Sequence, residues 1–396
     1  VSSAANDIVI AAVARTPMGG MLGVLSPFSA AQLGAASIKA AVQRAGLKPE
    51  DVQEVVMGCC LPAGQGQAPA RQAARGAGLP DAAGATTINK MCGSGLKAVM
   101  LAHDLIKAGT NTVMVAGGME SMTNAPYLLP KARSGYRYGH SMMFDHMAQD
   151  GLEDAYERGT AMGVFAERCV DQYSFTREQQ DAYSIESLRR AKLAGEDGSF
   201  AFELTPLEIA GKDGTTKIDK DEQPAKGRPD KIPGLKPAFK KDGTITAANA
   251  SSISDGAAAI VVMSGAEAAK RGIKPLARIL GHTTHARLPA EFTIAPVYAV
   301  QALLDKLGWK AADVDLWEIN EAFAVVTMAA MKEHKLDHAK VNIHGGATAL
   351  GHPIGASGAR ILATLVGALK KTGGKTGIAT LCIGGGEAVA LAIEML

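Results

Sequence analysis

Unbroken apolar runs, rather than alternating ones, punctuate this chain at residues 8–13, 112–116 and 257–263, as strands buried on both faces do. Shorter β-rich runs at 54–57, 85–88 and 277–280 predict three more strands, and apolar stretches leading into Asn320 and ending at Cys382 predict another two. Between them the pattern changes. Residues 30–45 and 96–107 have Ala- and Leu-rich helical composition, the first stopping at Gly46, and residues 176–193 read as a charged amphipathic helix. Strands that alternate with helices predict an α/β fold.

The order repeats along the chain. Gly46-Leu47-Lys48-Pro49-Glu50-Asp51-Val52 matches Gly308-Trp309-Lys310-Ala311-Ala312-Asp313-Val314 in its glycine, lysine and Asp-Val, at an offset of 262 residues. Ser94-Gly95-Leu96-Lys97 matches Ser357-Gly358-Ala359-Arg360 at 263, and Gly117-Gly118-Met119-Glu120 matches Gly384-Gly385-Gly386-Glu387 at 267. Chance recurrence of common Gly, Ala and Lys residues is the alternative; three collinear matches favour an internal duplication of one α/β unit. Residues 121–248 differ in texture and are rich in Lys, Asp, Gly and Pro from 211 to 243. Such a stretch reads as an insertion over a site, where loops carry substrate contacts, with a solvated linker as the plainer reading of 223–241. The expected organisation is a first domain of residues 1–120 and 249–275, a loop domain of 121–248 and a second domain of 276–396. The glycine- and alanine-rich segment 64–78 is expected near a subunit boundary.

Composition narrows the picture. With 396 residues, 47% of them apolar, the chain has material for two similar cores plus an insertion. A balance of 41 basic and 39 acidic residues without a long run of one sign argues against a nucleic acid partner. Among the five cysteines Cys59 and Cys60 are adjacent, which is no metal-ligand spacing, so free thiols in a reducing compartment are expected. No apolar run approaches the roughly 20 residues of a spanning helix, which excludes a helical membrane protein and suggests a soluble, cytoplasmic one. A sequence beginning at Val1 keeps an organellar matrix as the alternative, while Glu394-Met395-Leu396 is no peroxisomal ending.

One stretch then stands out: Asn89-Lys90-Met91-Cys92-Gly93-Ser94-Gly95-Leu96-Lys97-Ala98. Cys92 lies between a β-rich run and a helical pattern, where free N–H groups and the helix dipole are expected to stabilise thiolate near neutral pH. A lone cysteine is more often a small core residue. Its company changes the balance. Asn320-Glu321-Ala322-Phe323 follows a strand, Gly351-His352-Pro353-Ile354-Gly355-Ala356-Ser357-Gly358 sets a histidine before a helix, and Leu381-Cys382-Ile383-Gly384-Gly385-Gly386 ends a strand. Two cysteines, a histidine and an asparagine at the edges of apolar elements make a convergent site. A histidine with a pKa near 6.5 can take a thiol proton, and a second thiol near 8.5 can remove and return one. The structural alternatives are a turn histidine, a strand-core cysteine, a helix-capping Asn320 and plain turn glycines.

These segments, together with Ala116-Gly117-Gly118-Met119-Glu120-Ser121-Met122 and Asn249-Ala250-Ser251, resemble the signatures of the thiolase family, in order and over nearly the whole chain. The resemblance implies an α/β, thiolase-like fold: a duplicated five-layer α-β-α-β-α architecture with an inserted loop domain. It implies a short-chain acyltransferase that joins two acetyl-CoA into acetoacetyl-CoA plus CoA, or cleaves short 3-ketoacyl-CoA with CoA, through an acyl-Cys92 intermediate. Cys92 would be the nucleophile, His352 its base and Cys382 the second acid/base. One oxyanion hole would use His352 and a water held by Asn320, the other the N–H groups of Cys92 and Gly384; such donors are worth about 3–4 kcal/mol each. Glycine at 384 would let the backbone touch the acyl oxygen. Lys226 and Arg228 would meet CoA phosphates, Ser251 the pantetheine arm, and Met162, Leu152 and Phe323 would wall the acyl pocket. The resemblance implies no metal or separate cofactor, coenzyme A thioesters as substrates, no nucleic acid or membrane partner, and a homo-oligomer, dimeric or tetrameric.

Two departures from the family pattern are expected to matter. His344 stands in Asn342-Ile343-His344-Gly345-Gly346 where a second asparagine is usual, which would alter hydrogen bonding around the water site. Ala161 in Gly159-Thr160-Ala161-Met162-Gly163 stands where short-chain members often carry histidine, after a loop one residue longer, which would admit longer or branched acyl chains and a broader 3-ketoacyl-CoA thiolase. Three rival readings differ in kind. Gly93-Ser94-Gly95-Leu96-Lys97-Ala98 fits a short dinucleotide-binding pattern, but Val113 to Ala116 is apolar and Glu120 falls after a Gly-Gly turn, so no acidic residue ends the following strand. A ketoacyl-synthase-like condensing enzyme would lack a cysteine at the Cys382 position. A non-catalytic acyl-binding member would not need Cys92, Asn320, His352 and Cys382 together.

Overall fold

The computed structural model describes residues 5–211 and 214–396; Val1, and Lys212 and Asp213 of the polar stretch, lie outside the described residues. The principal strands are β1 (Ile8–Arg15), β2 (Glu54–Gly58), β3 (Gly84–Ile88), β4 (Val113–Ser121), β5 (Ser254–Ser264), β6 (Ala277–Ala286), β7 (Leu316–Ile319), β8 (Thr376–Ile383) and β9 (Glu387–Met395). They run in the order β7-β8-β9-β6-β1-β5-β4-β2-β3. In the first half β2 pairs parallel with β3 and β4, while β4–β5 and β5–β1 are antiparallel. The second half repeats this: β7–β8 is parallel, and β8–β9 and β9–β6 are antiparallel. Even the counterpart of β3 leaves a trace, a single parallel bridge from Val341 to Trp317. The halves join where Val9 pairs with Arg278 and Ile10 with Ala277.

The main helices are α1 (Ala30–Arg44), α2 (Pro69–Gly76), α3 (Ser94–Lys107), α4 (Met162–Tyr173), α5 (Arg177–Glu196), α6 (Ala295–Leu307), α7 (Ala324–His334) and α8 (Ile354–Thr372). Strand residues alternate between two hydrophobic layers, which explains the unbroken apolar runs. Val113 and Val115 of β4 face Leu33 and Ile38 of α1, whereas Met114 and Ala116 face Leu96 and Val99 of α3 and Ile361 and Leu365 of α8. On the far side Leu303 and Leu304 of α6 cover Trp317 and Ile378. The result is the expected five layers, with α3 and α8 in the middle.

Two glycines of the repeated sequence set how closely the central helices cross. A Cβ on Gly95 would stand 2.6 Å from the Ala359 nitrogen, and one on Gly358 would stand 2.3 Å from the Leu96 nitrogen. Both contacts lie inside any real carbon–nitrogen approach, so the recurrence of Ser-Gly marks one crossing seen from its two sides.

Three expectations need correction. β4 continues to Ser121, so Gly117–Glu120 lies within a strand and not in a turn; a Cβ on Gly117 would sit 2.0 Å from the Ala258 oxygen of β5. α5 begins with a capping box between Thr176 and Gln179, but its buried face is largely polar, with Gln180, Asp181, Tyr183, Ser184 and Ser187, because it docks on a buried carboxylate. Residues 223–241 are no solvated linker. They hold short helical turns at Glu222–Lys226 and Pro229–Gly234 that bury Pro224 and Ile232. Among the described residues no helix is long and apolar enough to cross a membrane.

Candidate active site

Cys92 sits in a tight turn between β3 and α3. Asn89 Oδ1 accepts from the Met91 N–H (2.9 Å), and Ser94 Oγ accepts from the Lys90 N–H (2.8 Å) while donating to the Met91 carbonyl (2.7 Å). These bonds hold Met91 at φ 46°, a left-handed conformation costly for a side chain, and so fix the direction of the next residue. The expectation of a thiolate held by the helix dipole fails. Burial pushes the Cys92 thiol up to about 11, against the opposing pull of the backbone N–H groups of Gly384 and of Cys92 itself. The sulfur rests as a thiol, and its proton has to be taken by a base.

His352 is the candidate. Its own N–H reaches the Ser252 carbonyl (3.2 Å) and Ser254 Oγ (3.3 Å), which anchors the turn after Gly351, and Nδ1 lies 2.5 Å from Ser357 Oγ. Ser357 spends its proton on the Pro353 carbonyl (3.0 Å), so it accepts from Nδ1–H and leaves Nε2 as the bare nitrogen. Burial, then the nearby Arg360 charge, lower the pKa of His352 to about 3, so the ring is neutral at pH 7. Asn320 Nδ2 lies 3.5 Å from Nε2, while Asn320 Oδ1 is buried without a hydrogen-bond partner among the described residues.

One cavity of about 480 Å³ is lined by Cys92, His352, Gly384, Ser251, Met162, Leu152 and Phe323, with Ala161, Phe239 and Phe292 completing an apolar wall. Cys382 and Asn320 are buried and do not line it. Cys382 packs beside Phe323, Phe292 and Val326, and burial followed by the charge of Cys92 raises its pKa well above the ordinary thiol range. Lys226 and Arg228 lie elsewhere, on an adjoining cavity of about 330 Å³ that shares Ala247 and Ser252 with the first. Lys226 is ion-paired with Glu222, whereas the neighbouring Lys231, which the sequence reading passed over, lines the same cavity.

Within the protein Gly384 is not crowded. A Cβ there would meet only the Met162 methyl at 3.6 Å, an ordinary contact, and the positive φ values belong to Gly385 (96°) and Gly386 (90°). No hydrogen bond joins His344 to the Asn320 side chain among the described residues. His344 packs edge-on against Phe200 at 5.8 Å between centroids, and burial lowers its pKa to about 4.

Two buried carboxylates hold the site together, and neither was picked out from the sequence. Glu321 accepts from Tyr183 (2.8 Å), Ser187 (2.8 Å), Asn342 (2.9 Å) and both the N–H and hydroxyl of Thr348 (3.1 and 2.6 Å), tying α5 to the loop beside Asn320. Glu120 accepts from the N–H groups of Cys60 (2.9 Å), Leu61 (3.1 Å) and Gly355 (2.8 Å), tying the first half to the turn that carries His352. The only sequence signal was an acidic residue within an otherwise apolar or glycine-rich run.

Comparison with known proteins gives a consistent result. Residues 8–266 match the thiolase N-terminal domain and residues 273–395 the thiolase C-terminal domain. Acetyl-CoA acetyltransferase 2 of Arabidopsis thaliana is 50% identical over 394 residues, covering 99% of this chain and 98% of its own length. The mitochondrial acetyl-CoA acetyltransferase of Rattus norvegicus is 47% identical, covering 99% of this chain and 92% of its own. A crystal structure of the Acat5 thiolase from Ascaris suum in complex with coenzyme A superposes with a TM-score of 0.94 at 43% identity, covering 98% of this chain and all of that one.

Proposed function

The chain belongs to the thiolase family, and from that premise we propose how its pocket carries out the reaction. The activity is that of an acetyl-CoA C-acetyltransferase: reversible condensation of two acetyl-CoA into acetoacetyl-CoA and CoA. The observation that carries the proposed chemistry is that Cys92, His352 and Gly384 line one cavity, and that a second cavity, bearing Lys226, Arg228 and Lys231, shares Ala247 and Ser252 with it. A long thioester fits that pair. Its reactive end enters the apolar cavity, its arm passes Ser251 and Ser252, and its phosphates meet the cationic end.

In this reading the bare Nε2 of His352 takes the Cys92 proton as sulfur attacks the acetyl carbonyl, since neutral imidazole is the form that accepts. Negative charge on that oxygen is met by the N–H groups of Cys92 and Gly384, the same groups that oppose the rise in the Cys92 pKa. Cys382 gives its proton to the departing CoA sulfur, which leaves acetyl-Cys92 and a Cys382 thiolate. Cys382 then takes a proton from the methyl carbon of a second acetyl-CoA, whose carbanion attacks acetyl-Cys92, and the departing Cys92 sulfur takes back the proton held by His352. The second oxyanion rests on the Nε2–H that His352 gained from Cys92 and on a water held by the unpartnered Asn320 Oδ1, a buried acceptor of the kind that water satisfies. The chemistry as proposed uses CoA thioesters and the chain's own groups.

The division into residues 1–120 with 249–275, 121–248 and 276–396 remains our proposed domain scheme. A homo-oligomer is proposed because Tyr127, Leu129, Tyr138, Met142, Met143 and Phe144 gather exposed apolar surface in one segment. A cytoplasmic location is the proposed compartment, with the mitochondrial relative as the alternative. The test is CoA-dependent thiolysis of acetoacetyl-CoA beside a six-carbon 3-ketoacyl-CoA, with the unmodified protein and Cys92→Ala. Cys92-dependent turnover of the four-carbon substrate alone supports the short-chain reading. Comparable turnover of both shifts it to a broader thiolase with Ala161 as the residue to restore to histidine. Turnover that survives Cys92→Ala overturns the proposed nucleophile.

A further inference from the structure

Among the described residues, one cluster of metal-ligating side chains lies outside the pocket: His103 and Asp104 in α3 and His282 in β6. Asp104 Oδ1 stands 2.9 Å from His103 Nδ1 and 2.9 Å from His282 Nε2, and the two ring nitrogens are 3.3 Å apart. The histidine side chains are 8% and 13% exposed, whereas the carboxylate is 53% exposed, so the donors converge at a surface with one side open.

We infer that His103, Asp104 and His282 form a binding site for a borderline divalent transition-metal ion such as zinc, with one coordination position left to solvent. Two imidazoles and a carboxylate are the donor set such ions prefer, unlike the all-oxygen set of calcium or magnesium. The geometry is close to finished. With bonds of about 2.0–2.1 Å, neighbouring ligand atoms of a tetrahedron are separated by about 3.3 Å. The two nitrogens already have that spacing, and only the exposed Asp104 carboxylate has to draw back by a few tenths of an ångström. The plain alternative is a hydrogen-bonded His-Asp-His cluster. It asks two ring N–H groups to aim at one carboxylate oxygen, an arrangement that an ion between the three donors would replace.

The location gives the ion a structural task. Cys92 precedes the start of α3, while His103 lies nine residues after Ser94, roughly 13 Å further along the helix axis. The site is therefore separate from the pocket, and it links a helix of the first half to the first strand of the second. An ion that binds the folded chain and not the unfolded one raises stability by mass action. Two cations face the cluster, Lys107 from α3 and Lys306 from α6, the latter donating to the His282 carbonyl at 3.2 Å. They weaken the site, so affinity should be moderate and should increase in Lys306→Ala.

The probe is Co²⁺, titrated into metal-free full-length protein and followed by visible absorption, with Zn²⁺ as competitor. The expected result is one Co²⁺ per chain, with ligand-field bands and no thiolate charge transfer, displaced by Zn²⁺. Asp104→Ala, at an exposed position, should weaken binding at least tenfold, and so should His282→Gln. Saturating Zn²⁺ should raise the melting temperature of the unmodified protein but not of Asp104→Ala, whose acetoacetyl-CoA thiolysis should stay unchanged. Absence of stoichiometric uptake, a thiolate band, or equal uptake by both variants would overturn the assignment.

Discussion

Both halves carry a Gly-Gly-Xaa-Glu ending, Gly117–Glu120 and Gly384–Glu387, and the two have opposite fates. In the first half the glycines lie within β4 under β5, and Glu120 is fully buried, collecting three backbone N–H groups. In the second half the chain breaks out of the strand through Gly385 and Gly386, which frees Gly384 to face Cys92, and Glu387 stays near the surface, paired with Lys90. Each half also serves the other. Glu120 of the first pins the turn bearing His352 of the second, and Gly384 of the second offers its N–H to Cys92 of the first. Duplication supplied a frame twice; the chemistry arose where the copies diverged and met.

The most severe way to break this division is to remove the two thiols separately. Cys92→Ala should lower thiolysis by about 10⁴-fold or more and abolish acetylation by acetyl-CoA. Cys382→Ala should lower condensation by roughly 10²- to 10⁴-fold while still taking up one acetyl group, read by intact mass. Equal acetylation of both variants would mean that the thiols do not have separate tasks. Next comes the pair of glutamates. Glu120→Gln turns an amide N–H₂ toward backbone donors and should cost about 1–3 kcal/mol in urea unfolding. Glu387→Gln, near the surface, should cost about 0–1 kcal/mol. A larger loss at Glu387 would reverse the assignment of structural and catalytic copies.

The smallest effect is an inflection that should be missing. A histidine base of ordinary pKa would lose activity as pH falls through 6.5, but His352 with a pKa near 3 stays unprotonated well below that. The kcat/KM profile between pH 7 and pH 5 should therefore show no step assignable to it. Stability has a different sign to check. Unfolded histidine binds a proton near 6.5 that folded His352 refuses, so stability is lost as pH falls below 6.5, and His352→Gln should flatten that loss in thermal unfolding.

The strands were legible because burial on both faces writes an unbroken apolar run, and the duplication because Gly95 and Gly358 answer one steric need from two sides. The cysteines and His352 were legible as residues of reactive type beside small neighbours. Their ionisation was not. The dipole argument at Cys92 is local, whereas the desolvation that outweighs it comes from segments far away in sequence. Glu120 and Glu321 were missed for a related reason: their partners lie as far away as Gly355 and Tyr183, and no short pattern announces a carboxylate that collects them. Gly384 was legible as part of the pocket loop, whereas the backbone constraint of that loop belongs to its neighbours Gly385 and Gly386.

The glycine crossing of α3 and α8 has a mechanical consequence. Backbones this close, in the middle of five packed layers, cannot swing apart like the jaws of a hinge without opening the centre of the molecule. In the proposed reaction, substrate exchange would then be a matter of threading: a flexible thioester arm would slide in and out past Ala247 and Ser252 while the frame around it stays still.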